Sequence, residues 1–197
     1  MKVNKNRLLV KVQNDKAYID TIMCGDTELY FAGHLKAEKN ANSVAVVYNS
    51  GVDDISEGEV IGISYQAMSD YSWKGSGTHK VRVWNNRFET DEGVFFVIHK
   101  RDVICRIKGN EFDAYGNYVL LEHLEPEKSV NGVHVDLSVQ TVDMRIVKPE
   151  RARFVSGNIP AETGDIIVFK ETMRQCYTFN KQPFAVLFTD NCQAVIK

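Results

Sequence analysis

Phe154-Val155-Ser156-Gly157, followed by Gly164-Asp165-Ile166-Ile167, repeats a pattern set earlier by Tyr48-Asn49-Ser50-Gly51 and Gly58-Glu59-Val60-Ile61. The two glycines stand seven positions apart in both copies. Two further matches bracket this one. Asn6-Arg7-Leu8-Leu9-Val10-Lys11 matches Asn117-Tyr118-Val119-Leu120-Leu121-Glu122. Val97-Ile98 through Asp102-Val103-Ile104-Cys105-Arg106-Ile107 matches Val186-Leu187 through Asn191-Cys192-Gln193-Ala194-Val195-Ile196. Each identity is weak alone, and the shared order is what identifies an internal duplication. The offset between copies falls from 111 to 106 to 89, so strand order is kept while connections change length.

The apolar residues come in short runs, rich in β-branched and aromatic types and separated by Gly, Asn, Asp, Ser and Glu, which is the signature of strands. No stretch keeps a helical apolar period for three turns, and one helical turn is expected near Leu35-Lys36-Ala37-Glu38-Lys39. The expectation is an all-β protein of two tandem small β-barrels, since closure removes exposed sheet edges. The first spans residues 1–108 and the second 115–197. Lys108-Gly109-Asn110-Glu111-Phe112-Asp113-Ala114-Tyr115-Gly116 reads as a short polar linker between them. The first copy is longer near 70–92, where Val81-Arg82-Val83-Trp84 followed by Asn85-Asn86 predicts an inserted hairpin.

Composition excludes several classes. The apolar fraction of 44% and charged fraction of 25% are those of a globular protein. A net charge of -2 without long single-sign runs offers no footprint for nucleic acid or an anionic membrane. No apolar window approaches the roughly 18 residues of a membrane span. Met1-Lys2-Val3-Asn4-Lys5-Asn6-Arg7 leads into a strand and not into an apolar signal core, which points to a cytoplasmic product. Cys24, Cys105, Cys176 and Cys192 lie far apart, without the close pairs that structural zinc needs.

One segment does not read as core. Glu127-Lys128-Ser129-Val130-Asn131-Gly132-Val133-His134-Val135-Asp136-Leu137-Ser138 is polar and glycine-containing around one apolar triplet, Val133-His134-Val135. Locally, Asn131-Gly132 signals an ordinary hairpin turn. Its position after the first strand of a repeated unit makes residues 127–140 a candidate mobile loop that offers the triplet to a partner.

The order of the second copy resembles the ten-kilodalton co-chaperonins, the GroES family. That pattern is an apolar strand (Tyr118-Val119-Leu120-Leu121), then a loop of Lys-Ser-x-x-Gly-apolar-x-apolar type (Lys128 to Val135). A strand ending in Gly157, then Gly164-Asp165-Ile166-Ile167-Val168-Phe169, and a closing strand, Asn191-Cys192-Gln193-Ala194-Val195-Ile196, complete it. The match covers nearly all of 117–197 and, more faintly, 6–107. The resemblance implies two GroES-like β-barrels whose loop docks on the apical domains of a chaperonin ring through Gly132, Val133, His134 and Val135. It also implies a homo-oligomeric lid without cofactor. A loop ordered only on binding gives weak, releasable sites, which multivalency strengthens.

Three departures stand out. His134 occupies the centre of a triplet that is usually aliphatic in the family. Val52 to Glu57 and Asn158 to Thr163 are too short for the hairpin that roofs many members. The first copy's loop, Asp20 to Phe31, lacks the Lys-Ser-x-x-Gly pattern; Leu29-Tyr30-Phe31 reads either as a larger apolar triplet or, equally, as a β-strand or a loop re-purposed for something else.

No P-loop, no dinucleotide fingerprint and no Gly-x-Ser-x-Gly occurs, and the five histidines have no metal-ligand spacing. His99 and His123 read as structural, and Asp53-Asp54, Asp91-Glu92 and Glu125-Pro126-Glu127 as solvated turns. An enzyme is not expected. Two alternatives to a co-chaperonin are a structural protein on the same duplicated fold, such as a phage virion decoration, fibre or connector component, and a carbohydrate-binding module using Tyr71, Trp73 and Trp84.

Overall fold

Short β-branched and aromatic runs bounded by turn residues fit a pleated, half-buried surface. The computed structural model describes residues 3–12, 21–24, 27–30, 41–76, 81–124, 149–170 and 174–197, and wherever the predicted runs are described they form strands. In chain order these are β1 (Arg7–Val12), β2 (Thr21–Cys24), β3 (Thr27–Tyr30), β4 (Val44–Ser50), β5 (Val60–Ile63), β6 (Tyr71–Lys74), β7 (Val81–Trp84), β8 (Arg87–Thr90), β9 (Gly93–His99), β10 (Val103–Lys108) and β11 (Glu111–Ala114). There follow β12 (Tyr118–His123), β13 (Pro149–Gly157), β14 (Ile166–Lys170), β15 (Gln175–Phe179), β16 (Gln182–Phe188) and β17 (Cys192–Ile196). Single 3-10 turns occur at Tyr65–Ser69, Lys100–Asp102 and Thr189–Asn191, and no α-helix occurs among the described residues. The helical turn expected near Leu35 lies outside them.

Antiparallel pairing builds one sheet in the order β11-β10-β5-β4-β1-β9-β8 and another in the order β15-β16-β12-β13-β14-β17. Six strands of the first, β10-β5-β4-β1-β9-β8, correspond one for one with β17-β14-β13-β12-β16-β15. The correspondence extends to register. Leu9 pairs with Val97 as Leu120 pairs with Val186, and a bulge follows both Leu9 and Leu120. The ladder of β5 with β10 skips Ile104, and that of β14 with β17 skips Gln193. The duplication is thus one of sheet architecture, down to the irregularities.

The turns repeat as well. Gly58 N–H donates to Val47 O at 2.8 Å, and Gly164 N–H to Phe154 O at 2.9 Å. Both glycines sit at positive φ, 84° and 105°, where a side chain is strained. These bonds equate Val47 with Phe154, one residue away from the alignment by the first glycine, which set Tyr48 against Phe154. Neither 51–59 nor 158–165 contains a strand, so each connection is a tight turn, as its length predicts.

Two expectations change. Among the described residues neither sheet closes into a barrel, because β11 and β8 in one, and β15 and β17 in the other, pair on one side only. Two of these edges lie where the halves meet and are met by side chains instead. Ala114 N–H, in β11, donates to Ser156 Oγ at 2.9 Å, and Ser43 Oγ donates to Thr178 O, in β15, at 2.9 Å. The other change concerns the expected linker. Its middle is β11, which pairs with β10 through Ile107–Phe112 and its neighbours.

The inserted hairpin forms between β6 and β7, Tyr71 facing Trp84, and not across Asn85-Asn86. Those two residues instead pass the chain from β7 to β8 in the main sheet, Asn85 Nδ2 donating to Asp70 Oδ1 at 2.9 Å and Asn86 Nδ2 to Ala67 O at 2.9 Å.

Among the described residues, three apolar clusters form the interior. One belongs to the first half (Leu8, Val10, Val47, Ile61, Met68, Phe96 and neighbours) and one to the second (Val119, Leu121, Phe154, Ile167, Phe169, Leu187). The third is shared. Ile104, Cys105, Ile107 and Phe112 from the first half pack with Leu120, Tyr177, Phe179, Phe184 and Val186 from the second. Phe112 lies 4.7 Å from the Phe184 ring centre, and Tyr177 Oη is 3.3 Å from Ser64 Oγ across the boundary.

Candidate functional site

Of the residues singled out for partner binding, Gly132, Val133, His134 and Val135, with the whole of 127–140, lie outside the described residues, as does Phe31. Leu29 and Tyr30 fall in β3, opposite Ile22 and Thr21 of β2. The topology places both candidate segments at the same point of the repeat. The hairpin β2–β3 lies between β1 and β4, and residues 124–148 connect β12 to β13, the corresponding strands.

Where the halves meet, the described residues form a cleft of about 550 Å³. Arg106, on β10, sits at its wall with its guanidinium 5.5 Å from the Tyr115 ring centre. Arg106 Nη2 is 3.3 Å from Asp54 Oδ2 and also donates to the Asp54 carbonyl, while Nε is 3.8 Å from Glu59 Oε2. Tyr115 Oη donates to Asp54 Oδ1 at 3.0 Å. The Tyr115 hydroxyl is pushed up to about 12, chiefly by burial, with the Asp54 hydrogen bond and charge adding to it. Across the cleft, Tyr118 Oη donates to Arg101 O at 3.1 Å and its ring stacks on Phe188 at 4.9 Å. The arrangement is a latch: a cation held between two carboxylates and an aromatic ring fixes β10 against the turn 52–57 and the β11–β12 connection.

His99 takes a structural role. Its Nδ1 accepts from Arg101 N–H at 3.1 Å, capping the turn Lys100–Asp102, while Asp102 accepts from the His99 N–H. Burial, reinforced by Arg7 and Arg101, lowers its pKa and favours the neutral form that can accept. Among the described residues no group of three or more His, Cys, Asp or Glu side chains is placed to hold a metal ion. Cys105 is buried, its thiol pushed up to about 12 by burial, so it behaves as a small core residue.

The aromatic insertion splits its roles. Trp84 is half-buried, packs on the first half's core and meets Phe96 edge-on at 6.2 Å, with Tyr71 edge-on to Trp84 at 5.2 Å. Trp84 therefore helps to complete a core. Of the carboxylates read as solvated turns, Asp53, Asp54, Asp91 and Glu92 are exposed, and two of these are engaged, while Glu125 and Glu127 lie outside the described residues. Asp54 joins the latch, and Glu92 accepts from Tyr48 Oη while its carbonyl accepts from Lys11 Nζ at 3.0 Å. Sequence reading missed the latch because Asp54 and Arg106 stand 52 positions apart.

No protein-family model matches the chain, and no curated protein sequence does. No helix of the described residues is long and apolar enough to cross a membrane.

Proposed function

We propose that the protein is a non-enzymatic co-chaperonin-like factor of the cytoplasm, which docks on the apical domains of a chaperonin ring and caps it through loops. The supporting observation is the position of the two candidate loops: each leaves the sheet at the same connection of a duplicated architecture. One of them carries Lys128-Ser129-Val130-Asn131-Gly132-Val133-His134-Val135. A sheet framework that holds such a loop at a fixed root, with an apolar triplet as its contact, suits weak and reversible docking. The test is capture on a chaperonin ring with nucleotide, comparing wild type with Val133→Asp/Val135→Asp. Wild type should be retained in a nucleotide-dependent way and the variant lost. A wild type that never binds ends this reading.

A structural role in a larger assembly, such as a virion component, is the second reading. The apolar core shared between the halves favours it, since it joins them into one unit. Strong retention of the protein in assembled particles, without any chaperonin capture, would select it.

A further inference from the structure

The strand ends that border the cleft between the halves carry an aromatic pair that the repeat does not require. Tyr118 stands opposite Phe188 across β12 and β16, and the two rings stack. The matching positions of the first half hold Arg7 and His99, so this place in the sheet accepts polar side chains equally well. Tyr118 rests against the shared core, whereas Phe188 is 47% exposed, and both line the cleft. The cleft volume, about 550 Å³, suits a small molecule, for which an apolar aromatic wall with a few converging polar groups is the usual site.

The charges on the lining are unequal in what they already hold. They are Lys100, Arg101 and Arg106 against Asp54 and Asp113. Asp54 is committed to Arg106 and Tyr115, and Asp113 accepts from Ser156 Oγ at 3.3 Å. With Arg106 set against Asp54, two cations and one carboxylate remain on the lining. The Arg101 side chain is 83% exposed, and among the described residues its ion-pair contact is Asp102 at 4.0 Å. Lys100 is exposed as well. The backbone beneath these two cations is fixed. His99 and Asp102 cap the turn, and Arg101 O accepts from Tyr118 Oη at 3.1 Å. Cationic turn and aromatic pair are thus tied together before any ligand arrives, which lowers the ordering cost of binding. A guanidinium free of a close partner is suited to a planar carboxylate, which it can meet with two parallel hydrogen bonds.

We propose that this cleft binds a small aromatic acid, its ring against Tyr118 and Phe188 and its carboxylate on Arg101 beside Lys100. This rests on the cleft and not on the co-chaperonin reading. The test is an amide chemical-shift titration of the whole protein with indoleacetate, on wild type, Arg101→Gln and Phe188→Ala. Indoleacetamide serves as the uncharged control and cyclohexylacetate as the control without an aromatic ring. Both substituted side chains are exposed, and melting curves confirm the fold of each variant. Indoleacetate is expected to give saturable shifts at residues 100–103, 115–118 and 188. The amide should bind about tenfold more weakly, the loss of one hydrogen bond to a charged group, and cyclohexylacetate more weakly than indoleacetate. Arg101→Gln is expected to abolish the preference for acid over amide, and Phe188→Ala to weaken both. Absence of saturable shifts at millimolar indoleacetate, shifts centred elsewhere, a control that binds as well as the acid, or an Arg101→Gln variant that keeps the preference would each overturn the proposal. So would binding of a blocked Trp-Glu peptide without binding of the free acid, which would assign the cleft to a protein segment.

Discussion

At the residue scale, Gly62 carries the tightest described glycine constraint in the core shared by the two halves. A Cβ there would stand 2.5 Å from Cys105 Sγ as well as 2.8 Å from Phe179, and both neighbours are core groups held on other strands. Gly62→Val is therefore expected to destabilise by about 1–3 kcal/mol, the usual cost of overpacking, read as a lower denaturant midpoint. Three protons are held more tightly in the folded chain than in the unfolded one. Cys105, raised from 9.0 to about 12, and Tyr115 and Tyr177, raised from 10.0 to about 12, are all displaced chiefly by burial. Between those values the folded chain keeps protons that the unfolded chain releases, so stability is intact below pH 9 and falls as pH rises toward 12. Melting temperatures from pH 8 to 12 should show the fall, and Tyr177→Phe should make it shallower. Nothing in sequence spacing could announce the Asp54–Arg106–Tyr115 latch, because its members meet only when β10, a turn and the β11–β12 connection converge.

At the scale of elements, the strands were legible because each apolar run is short, β-rich and ended by turn residues, and tertiary context had no reason to override that. The repeat was legible through its order, and pairing then refined it by one residue at β4. The misread element is β11. Glu111-Phe112-Asp113-Ala114 shows one large apolar residue between glycine-flanked polar stretches, and that residue is rewarded by Phe184 of the other half, more than 70 positions on. Barrel closure was expected from the need to protect edges, but the halves protect two edges for each other. The β15–β16 hairpin yields its own prediction. Asn180 and Lys181 form its two-residue turn with φ of 48° and 68°, the region that type I′ turns require and glycine occupies without strain. Lys181→Gly should raise stability by about 0.5–1 kcal/mol in chemical denaturation.

For the whole molecule, the shared core decides how the halves unfold. Both tryptophans lie in the first half, so their fluorescence reports it alone, whereas far-ultraviolet circular dichroism reports both. Wild type should give coincident urea transitions by the two probes. Phe112→Ala, which empties space beside Phe184, should cost about 3 kcal/mol and separate the transitions, leaving each half to melt on its own. Two halves with one strand order and one register also pose a sorting problem during folding, since β14 has the shape and ladder to dock where β5 belongs. Side-chain volume acts as the address label. Val168 in the place of Gly62 would strike the Phe179 ring. The difference that fits the halves together thus also rejects their mispaired isomers, so that two near copies of one sheet can be laid down in a single chain without trading strands.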